Sequence, residues 1–254
     1  MLRYHAVIDK NNNTDTMEFA LNPDIDRHAA AATLRADGRV QIHNILQDRC
    51  AEALLQCLQQ DTPWSLTYYD DKGPGIIEAH NLPKVPAAAM QKLHDQVYAH
   101  AQQNFGYLYS LFHHDPATRS DGHYPPLLKQ FFDFLAGDDM LQLIRELLAE
   151  ADVREVDAQA TRFSSGQFLG YHNDLMPTAN RRCAYVFNFT HQWRPEWNGY
   201  LQFYDANGNS PTAFMPGFNT LNLFTVPQPH AVTCIPPFAS EHRYAVSGWY
   251  RGIV

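Results

Sequence analysis

The stretch Gly166-Gln167-Phe168-Leu169-Gly170-Tyr171-His172-Asn173-Asp174 sets an imidazole and a carboxylate two residues apart at the end of a strand-like run. In extended backbone, residues i and i+2 project to the same face, so His172 and Asp174 converge on one point if the strand ends or bends there. That spacing suits two ligands of one metal ion. A third comes from Val226-Pro227-Gln228-Pro229-His230-Ala231-Val232, where His230 opens another strand-like segment. Two histidines and one carboxylate leave coordination positions free on a divalent ion such as Fe(II).

A His-x-Asp triplet alone is weak in a chain with 13 histidines, and His113-His114-Asp115 serves as an internal control. The second triplet precedes Pro116 in a polar stretch without strand alternation and reads as a solvated loop. Standing alone, His172 and Asp174 would read as a surface turn with an Asx-type hydrogen bond. The downstream residues reverse that preference. Arg243-Tyr244-Ala245-Val246-Ser247-Gly248-Trp249-Tyr250 reads as the last strand, with Arg243, Ala245, Ser247 and Trp249 on one face. An inward-facing guanidinium needs an anion, and its planar fork matches a carboxylate through two parallel hydrogen bonds. A dicarboxylic co-substrate beside the metal would provide one, with the Ser247 hydroxyl as a further contact.

The C-terminal half, roughly Val156 to Gly252, resembles the 2-oxoglutarate- and Fe(II)-dependent oxygenases of the prolyl-hydroxylase type. The family's His-x-Asp, distal His followed by a small residue and Val, and closing Arg-Tyr-Ala-x-x-x-Trp-Tyr stand here as His172-Asn173-Asp174, His230-Ala231-Val232 and Arg243 through Tyr250. Arg182 to Phe187, Trp193 and Asn198 to Tyr204 look like its central strands. Where the family has Gly-Gly-x-Leu this chain has Asn198-Gly199-Tyr200-Leu201, and Asn188 stands where relatives place a co-substrate-binding tyrosine. The run Leu127 to Leu148 is similar to the catalytic domain of the ribosomal-protein prolyl hydroxylases. The resemblance implies a double-stranded β-helix, or jelly roll, with Fe(II) on His172, Asp174 and His230 and 2-oxoglutarate on Arg243, with Ser247 and Asn188 as further co-substrate contacts. It also implies O2 as oxidant, ascorbate as a supporting reductant, and release of succinate and CO2.

With 254 residues, 45% of them hydrophobic, the chain can bury a sizeable core. The expectation is a mainly β fold with flanking helices in one domain spanning 1–254: a helix-rich support with lid loops over 1–155 and the β-helix core over 156–254. A formal charge of −8 argues against a grip on nucleic acid or an acidic membrane surface. Cys50, Cys57, Cys183 and Cys234 show no CxxC spacing, and Met1-Leu2-Arg3-Tyr4-His5 lacks the apolar region of a secretory signal, so a cytoplasmic protein with reduced thiols is expected. No apolar run approaches the ~20 residues of a membrane span.

In the first third, Asn22-Pro23 can begin a helix through Arg35 that stops at Gly38, with Val40 to Ile45 as a strand. Asp48 reads as the N-cap of a helix burying Ala51, Leu54, Leu55 and Leu58. Met90, Leu93, Val97 and Ala101 mark a helix after Pro86. Pro126 to Ala136 and a segment from Asp138 with Leu141, Ile144, Leu147 and Leu148 inward are two more, split at Gly137. Tyr68-Tyr69-Asp70-Asp71-Lys72-Gly73-Pro74-Gly75 and Phe112 to Tyr124 read as polar, aromatic loops suited to a lid. After Val156, short alternating strands appear: Cys183 to Phe189, Tyr200 to Tyr204, and Asn219 to Val226.

The expected substrate is a prolyl residue in a protein or peptide, bound between the Tyr68–Gly75 flap and the strands around Arg182 and Trp193, since proline packs on aromatic faces. A free amino acid or other small molecule is the alternative within enzymes, with Arg162, Arg181, Asp70 and Asp71 available for its charged groups. A cupin-like metal-binding or sensing module is the alternative of another class, and it has no evident use for Arg243.

Overall fold

The computed structural model describes residues 17–113 and 124–252. Helix α1 (Arg27–Asp37) begins where the Asp26 carboxylate accepts from the Ala29 N–H at 2.9 Å. It ends at Gly38, whose φ of +69° lets its N–H reach the Leu34 carbonyl. The expected start at Asn22-Pro23 is a turn instead, because Asp26 supplies the side-chain acceptor that a helix N-terminus needs. Strand β1 (Arg39–His43) leads to α2 (Asp48–Gln60), which buries Ala51, Leu54, Leu55 and Leu58 as its apolar stripe predicts. Gln47, not Asp48, holds the cap position.

The Tyr68–Gly75 stretch is a hairpin, not a loop. Strand β2 (Ser65–Asp70) pairs with β3 (Gly73–Ile77) across a turn in which Asp70 Oδ1 accepts from the Lys72 N–H at 2.9 Å and Gly73 takes φ +99°. The polar and aromatic mixture that suggested a flap is the two faces of a strand rich in residues that favour extended backbone. Helix α3 (Ala87–Ala101) packs Met90, Leu93 and Val97 against Leu66 and Leu108. Strand β4 (Tyr107–His113) takes in Phe112 and His113, which were expected in a loop; His114-Asp115 and the rest of that stretch up to 123 lie outside the described residues. Helices α4 (Pro126–Leu135) and α5 (Asp138–Leu148) divide at Gly137, and Phe131 of α4 sets its ring edge-on to Phe187, centroids 5.4 Å apart.

The remaining strands are β5 (Val153–Val156), β6 (Gln159–Phe163), β7 (Phe168–His172), β8 (Arg181–Asn188), β9 (Leu201–Phe203), β10 (Thr212–Phe214), β11 (Thr220–Thr225), β12 (His230–Val232) and β13 (Arg243–Gly252). All pairings are antiparallel, in the order β1-β11-β8-β13-β6-β4-β7-β12-β9-β10. The sheet curls so that β8 and β13 face β7, β9 and β12 across a shared interior, which makes the core a double-stranded β-helix. Strand β4 pairs with β2 along one edge and with β6 and then β7 along the other, and so joins the two halves. Alternation along β13 divides the interior in two: Tyr244, Val246 and Tyr250 enter the main hydrophobic core under the helices, while Arg243, Ser247 and Trp249 face a cavity.

Candidate metal centre and active-site cavity

The cavity, about 500 Å³, is lined by residues of β4, β6, β7, β8, β12 and β13, and His172, Asp174, His230, Arg243 and Ser247 all border it. His172 ends β7, and His230 is its direct cross-strand partner on β12, so register alone brings the two rings to 4.1 Å between centroids. Asp174 follows after the strand has stopped. Its φ of +61° is the bend that turns its carboxylate back toward both histidines. Carboxylate oxygens lie 3.4 Å from His172 Nε2 and 3.5 Å from His230 Nε2.

Each imidazole is oriented from behind. His172 Nδ1 is 2.8 Å from the Gly170 carbonyl and His230 Nδ1 is 2.8 Å from the Gln228 carbonyl, contacts that require a proton on Nδ1. The tautomer inferred from them leaves both Nε2 lone pairs facing the carboxylate. Burial, helped by the neighbouring His172, pushes His230 down to about 4. Burial also pushes Asp174 up, but its contacts with His172 and His230 outweigh this and hold the group below its ordinary value. Two bare imidazole nitrogens and an ionised carboxylate thus converge, with one ligand atom from each within 4.8 Å of the others. A cation relieves the mutual repulsion of these lone pairs, so the donor set fits a divalent metal of the Fe(II) type, with ring orientation fixed by backbone carbonyls.

Arg243 is 2% exposed and its pKa is pushed down to about 10 by burial. It stays cationic at neutral pH. One Nη2–H donates to Asn188 Oδ1 at 3.3 Å, the guanidinium carbon sits 5.2 Å over the Phe163 ring, and Nε finds no acceptor. Among the described residues no acidic side chain pairs with it. A buried, half-satisfied guanidinium beside a metal site fits the carboxylate of a dicarboxylic ligand.

Asn188 departs from its expected place. It is fully buried but does not border the cavity; its amide accepts from Arg243 and donates to Thr220 Oγ1 at 3.2 Å. Its side chain is engaged with those two groups and so supports Arg243 from outside the cavity lining. Of the charged groups suggested for a small substrate, only Arg181 borders the cavity. Arg162 lies over the buried Trp64 ring, Asp70 caps its own turn, and Asp71 is exposed; Arg182 pairs with Asp152 and Glu150, and Trp193 packs with Trp197, Phe163 and Val232 without itself bordering the cavity. Reading by sequence missed Phe105, Tyr107 and Tyr109, which form one wall of the cavity. The alternation Tyr107, Tyr109, Leu111 was the available signal. The Tyr109 ring stacks on Phe163 at 4.9 Å, and burial raises its pKa well above the ordinary range, so its hydroxyl remains a donor.

Residues 158–251 match the family model of the 2OG-Fe(II) oxygenase superfamily. The chain carries a 2OG-Fe(II) oxygenase domain. Such an enzyme, a 2-oxoglutarate-dependent dioxygenase, works with Fe(II), 2-oxoglutarate and O2, and the triad and Arg243 lie within the matched span. Solved structures share the fold. A Pseudomonas putida prolyl-4-hydroxylase is 18% identical with a TM-score of 0.58, covering 90% of this chain and 100% of its own. A Trichoplax adhaerens prolyl hydroxylase, solved in complex with a hypoxia inducible factor oxygen degradation domain peptide fragment, is 16% identical with a TM-score of 0.59, covering 89% of each chain. A Burkholderia pseudomallei oxidoreductase of the 2OG-Fe(II) oxygenase family is 14% identical with a TM-score of 0.58, covering 91% of this chain and 93% of its own. No curated protein matches this chain in sequence.

Proposed function

We propose that this oxygenase hydroxylates a prolyl residue in a protein or peptide, with His172, Asp174 and His230 holding Fe(II) and Arg243 anchoring the distal carboxylate of 2-oxoglutarate. The observation that carries the site assignment is the convergence on one cavity of a two-histidine, one-carboxylate set and a buried guanidinium that has no acidic partner among the described residues. With metal, 2-oxoglutarate and O2 bound, the oxidising chemistry belongs to those groups and yields succinate, CO2 and a hydroxylated product. The chain's own part is positioning and exclusion of water. His172 and His230 present Nε2 because the Gly170 and Gln228 carbonyls hold their Nδ1 protons. Arg243 fixes the co-substrate's direction, itself steadied by Asn188 and Phe163. Leu169, Val186, Leu201 and Val232 line the cavity with apolar surface that keeps water from the reacting centre.

The polypeptide reading rests on the mouth. Phe105, 40% exposed, leads inward to Tyr107 and Tyr109, an aromatic wall suited to the flat faces of a pyrrolidine ring. The peptide bound to the Trichoplax enzyme, of similar fold, supports the same substrate class. Against a free amino acid stands the charge inventory: apart from the triad histidines, Arg181 and Arg243 are the only basic side chains among the described residues bordering the cavity, and Asp174 is the only carboxylate there and belongs to the triad. An ammonium group would have no carboxylate of its own. The test is succinate release coupled to a one-oxygen mass gain, with proline-containing peptides compared with free L-proline. Turnover of the free amino acid with none on any peptide would overturn the substrate reading and leave the metal and co-substrate assignments intact.

A further inference from the structure

The metal carboxylate is the least secured of the three candidate ligands. His172 and His230 sit within β-strands, whereas Asp174 lies past the end of β7 at φ +61°, a conformation that side chains other than glycine rarely hold without support. The segment 173–180 is tied elsewhere by Leu175 N–H to Asn173 Oδ1 at 3.1 Å, Ala179 N–H to the Met176 carbonyl at 3.0 Å and Gly252 N–H to the Asn180 carbonyl at 3.1 Å, none of which engages Asp174. One side chain does. Arg181, the first residue of β8, donates from Nη1 to the Asp174 backbone carbonyl at 2.9 Å.

Arg181 is fixed in turn. Its guanidinium carbon lies 3.6 Å from the centroid of the Trp249 ring, close enough for flat stacking, and Trp249 is anchored in the cross-strand ladder opposite Ala184. The Trp249 indole N–H lies beside the Asp174 carboxylate and helps keep it ionised, although it falls short of a well-aligned hydrogen bond. The aromatic plane thus steadies the ligand residue through the stacked guanidinium that holds its peptide carbonyl.

We propose that Arg181 is a positioning residue for the metal site, holding Asp174 in its left-handed backbone conformation from the platform of Trp249. It acts through Asp174 and needs no contact with substrate. The inference rests on the triad being the metal site, and Co(II) binding to the metal-free protein tests the two separately.

The experiment titrates the metal-free full chain with Co(II), followed by visible absorbance, in wild type, Arg181→Gln and Trp249→Phe. If wild type binds no Co(II), the triad assignment fails and the positioning role with it. The expected result is a Kd about tenfold weaker in Arg181→Gln, in the range seen when groups supporting a metal ligand are removed, with unchanged far-UV circular dichroism and a smaller weakening in Trp249→Phe. Arg181→Lys carries the test if the glutamine variant does not fold. It keeps the charge but loses the flat stack, and an intermediate weakening is expected. A Co(II) Kd within twofold of wild type in a folded Arg181 variant, accompanied by a raised KM for a peptide substrate, would overturn the proposal and make Arg181 a substrate contact.

Discussion

Keeping a guanidinium 2% exposed without an acidic partner is costly, and Arg243 carries that cost in the free protein. Burying an unpaired ion costs several kcal/mol, whereas its hydrogen bond to Asn188 returns about 1.5–3 kcal/mol. The balance predicts that Arg243→Met, of similar length, stabilises the free protein by about 1 kcal/mol even though Asn188 Oδ1 loses its donor. For a chain of this size that is a rise of roughly 2–4 °C in Tm. The same variant should lose the further stabilisation that 2-oxoglutarate gives the metal-loaded wild type. Thermal melts with and without 2-oxoglutarate decide this, and a lower Tm in the free variant would mean the guanidinium is a structural element. His230 offers a pH counterpart. Its folded pKa of about 4 lies below the ordinary histidine value of 6.5, so the fold favours the neutral ring. That contribution is fully present above pH 6.5 and is lost as pH falls from there through 4. The metal-free protein should therefore lose stability across that window, and His230→Gln should flatten this part of the profile. At fixed neutral pH, His172→Ala, Asp174→Ala and His230→Ala should each abolish Co(II) binding while the circular dichroism stays native; retained binding in a folded Asp174→Ala would remove the carboxylate from the ligand set.

Strand β13 shows how one element serves both core and site. Its even-numbered residues Tyr244, Val246 and Tyr250 join the core that α4 covers beside β8, and the Tyr250 hydroxyl donates to the Leu135 carbonyl at 2.9 Å. Between them Gly248 passes so close to the chain preceding β6 that an added Cβ would lie 1.9 Å from the Asp157 carbonyl oxygen and 3.0 Å from the Tyr185 hydroxyl. Because the obstacle is backbone held by the Asp157 N–H to Trp249 carbonyl bond at 2.9 Å, it cannot step aside cheaply. Gly248→Ala should cost roughly 1–3 kcal/mol or more, read by denaturant melts, and should weaken the site that Ser247 and Trp249 border; a melt matching wild type would show that the two strands can spread. This strand was legible because its alternation is local and Arg243 is chemically conspicuous on it. The β2–β3 hairpin was not, because glycine, proline and aspartate in β3 and its turn resemble a loop until Tyr68 and Tyr69 are seen to pair with Gly75 and Pro74. Tyr109 and Gln159 were equally hidden: nothing local marks them as cavity residues, and only the pairing of β4 with β6 carries them there.

At the scale of the whole molecule, the matched span of 158–251 contains the triad and Arg243 but does not by itself enclose the cavity. The sequence suggested a support over 1–155 packed outside a core over 156–254. The pairing crosses that boundary at three strands, one of them β5, which lies along β13. β1 extends one edge beside β11, and one edge of β4 bridges β6 and β7, pairing Ser110 through His113 with the first and Tyr107 and Leu108 with the second. Without β4, β6 keeps only β13 and β7 only β12, the sheet is cut between the strand carrying His172 and the one beside Arg243, and the wall of Phe105, Tyr107 and Tyr109 disappears. The core would be stripped as well, since Phe131, Leu128, Ile144 and Leu147 cover the outer face of β8. Unpaired edges beside exposed apolar surface favour aggregation over folding. A fragment of residues 156–254 is therefore expected to lack a cooperative thermal transition and to bind no Co(II), although it contains all three ligand residues. Separately expressed 1–155, mixed with the fragment before refolding, should restore both properties if pairing along β4 is what is missing. A fragment that melts cooperatively alone and binds Co(II) with the affinity of the full chain would show instead that the β-helix closes without β4, leaving the N-terminal part a role in substrate access only.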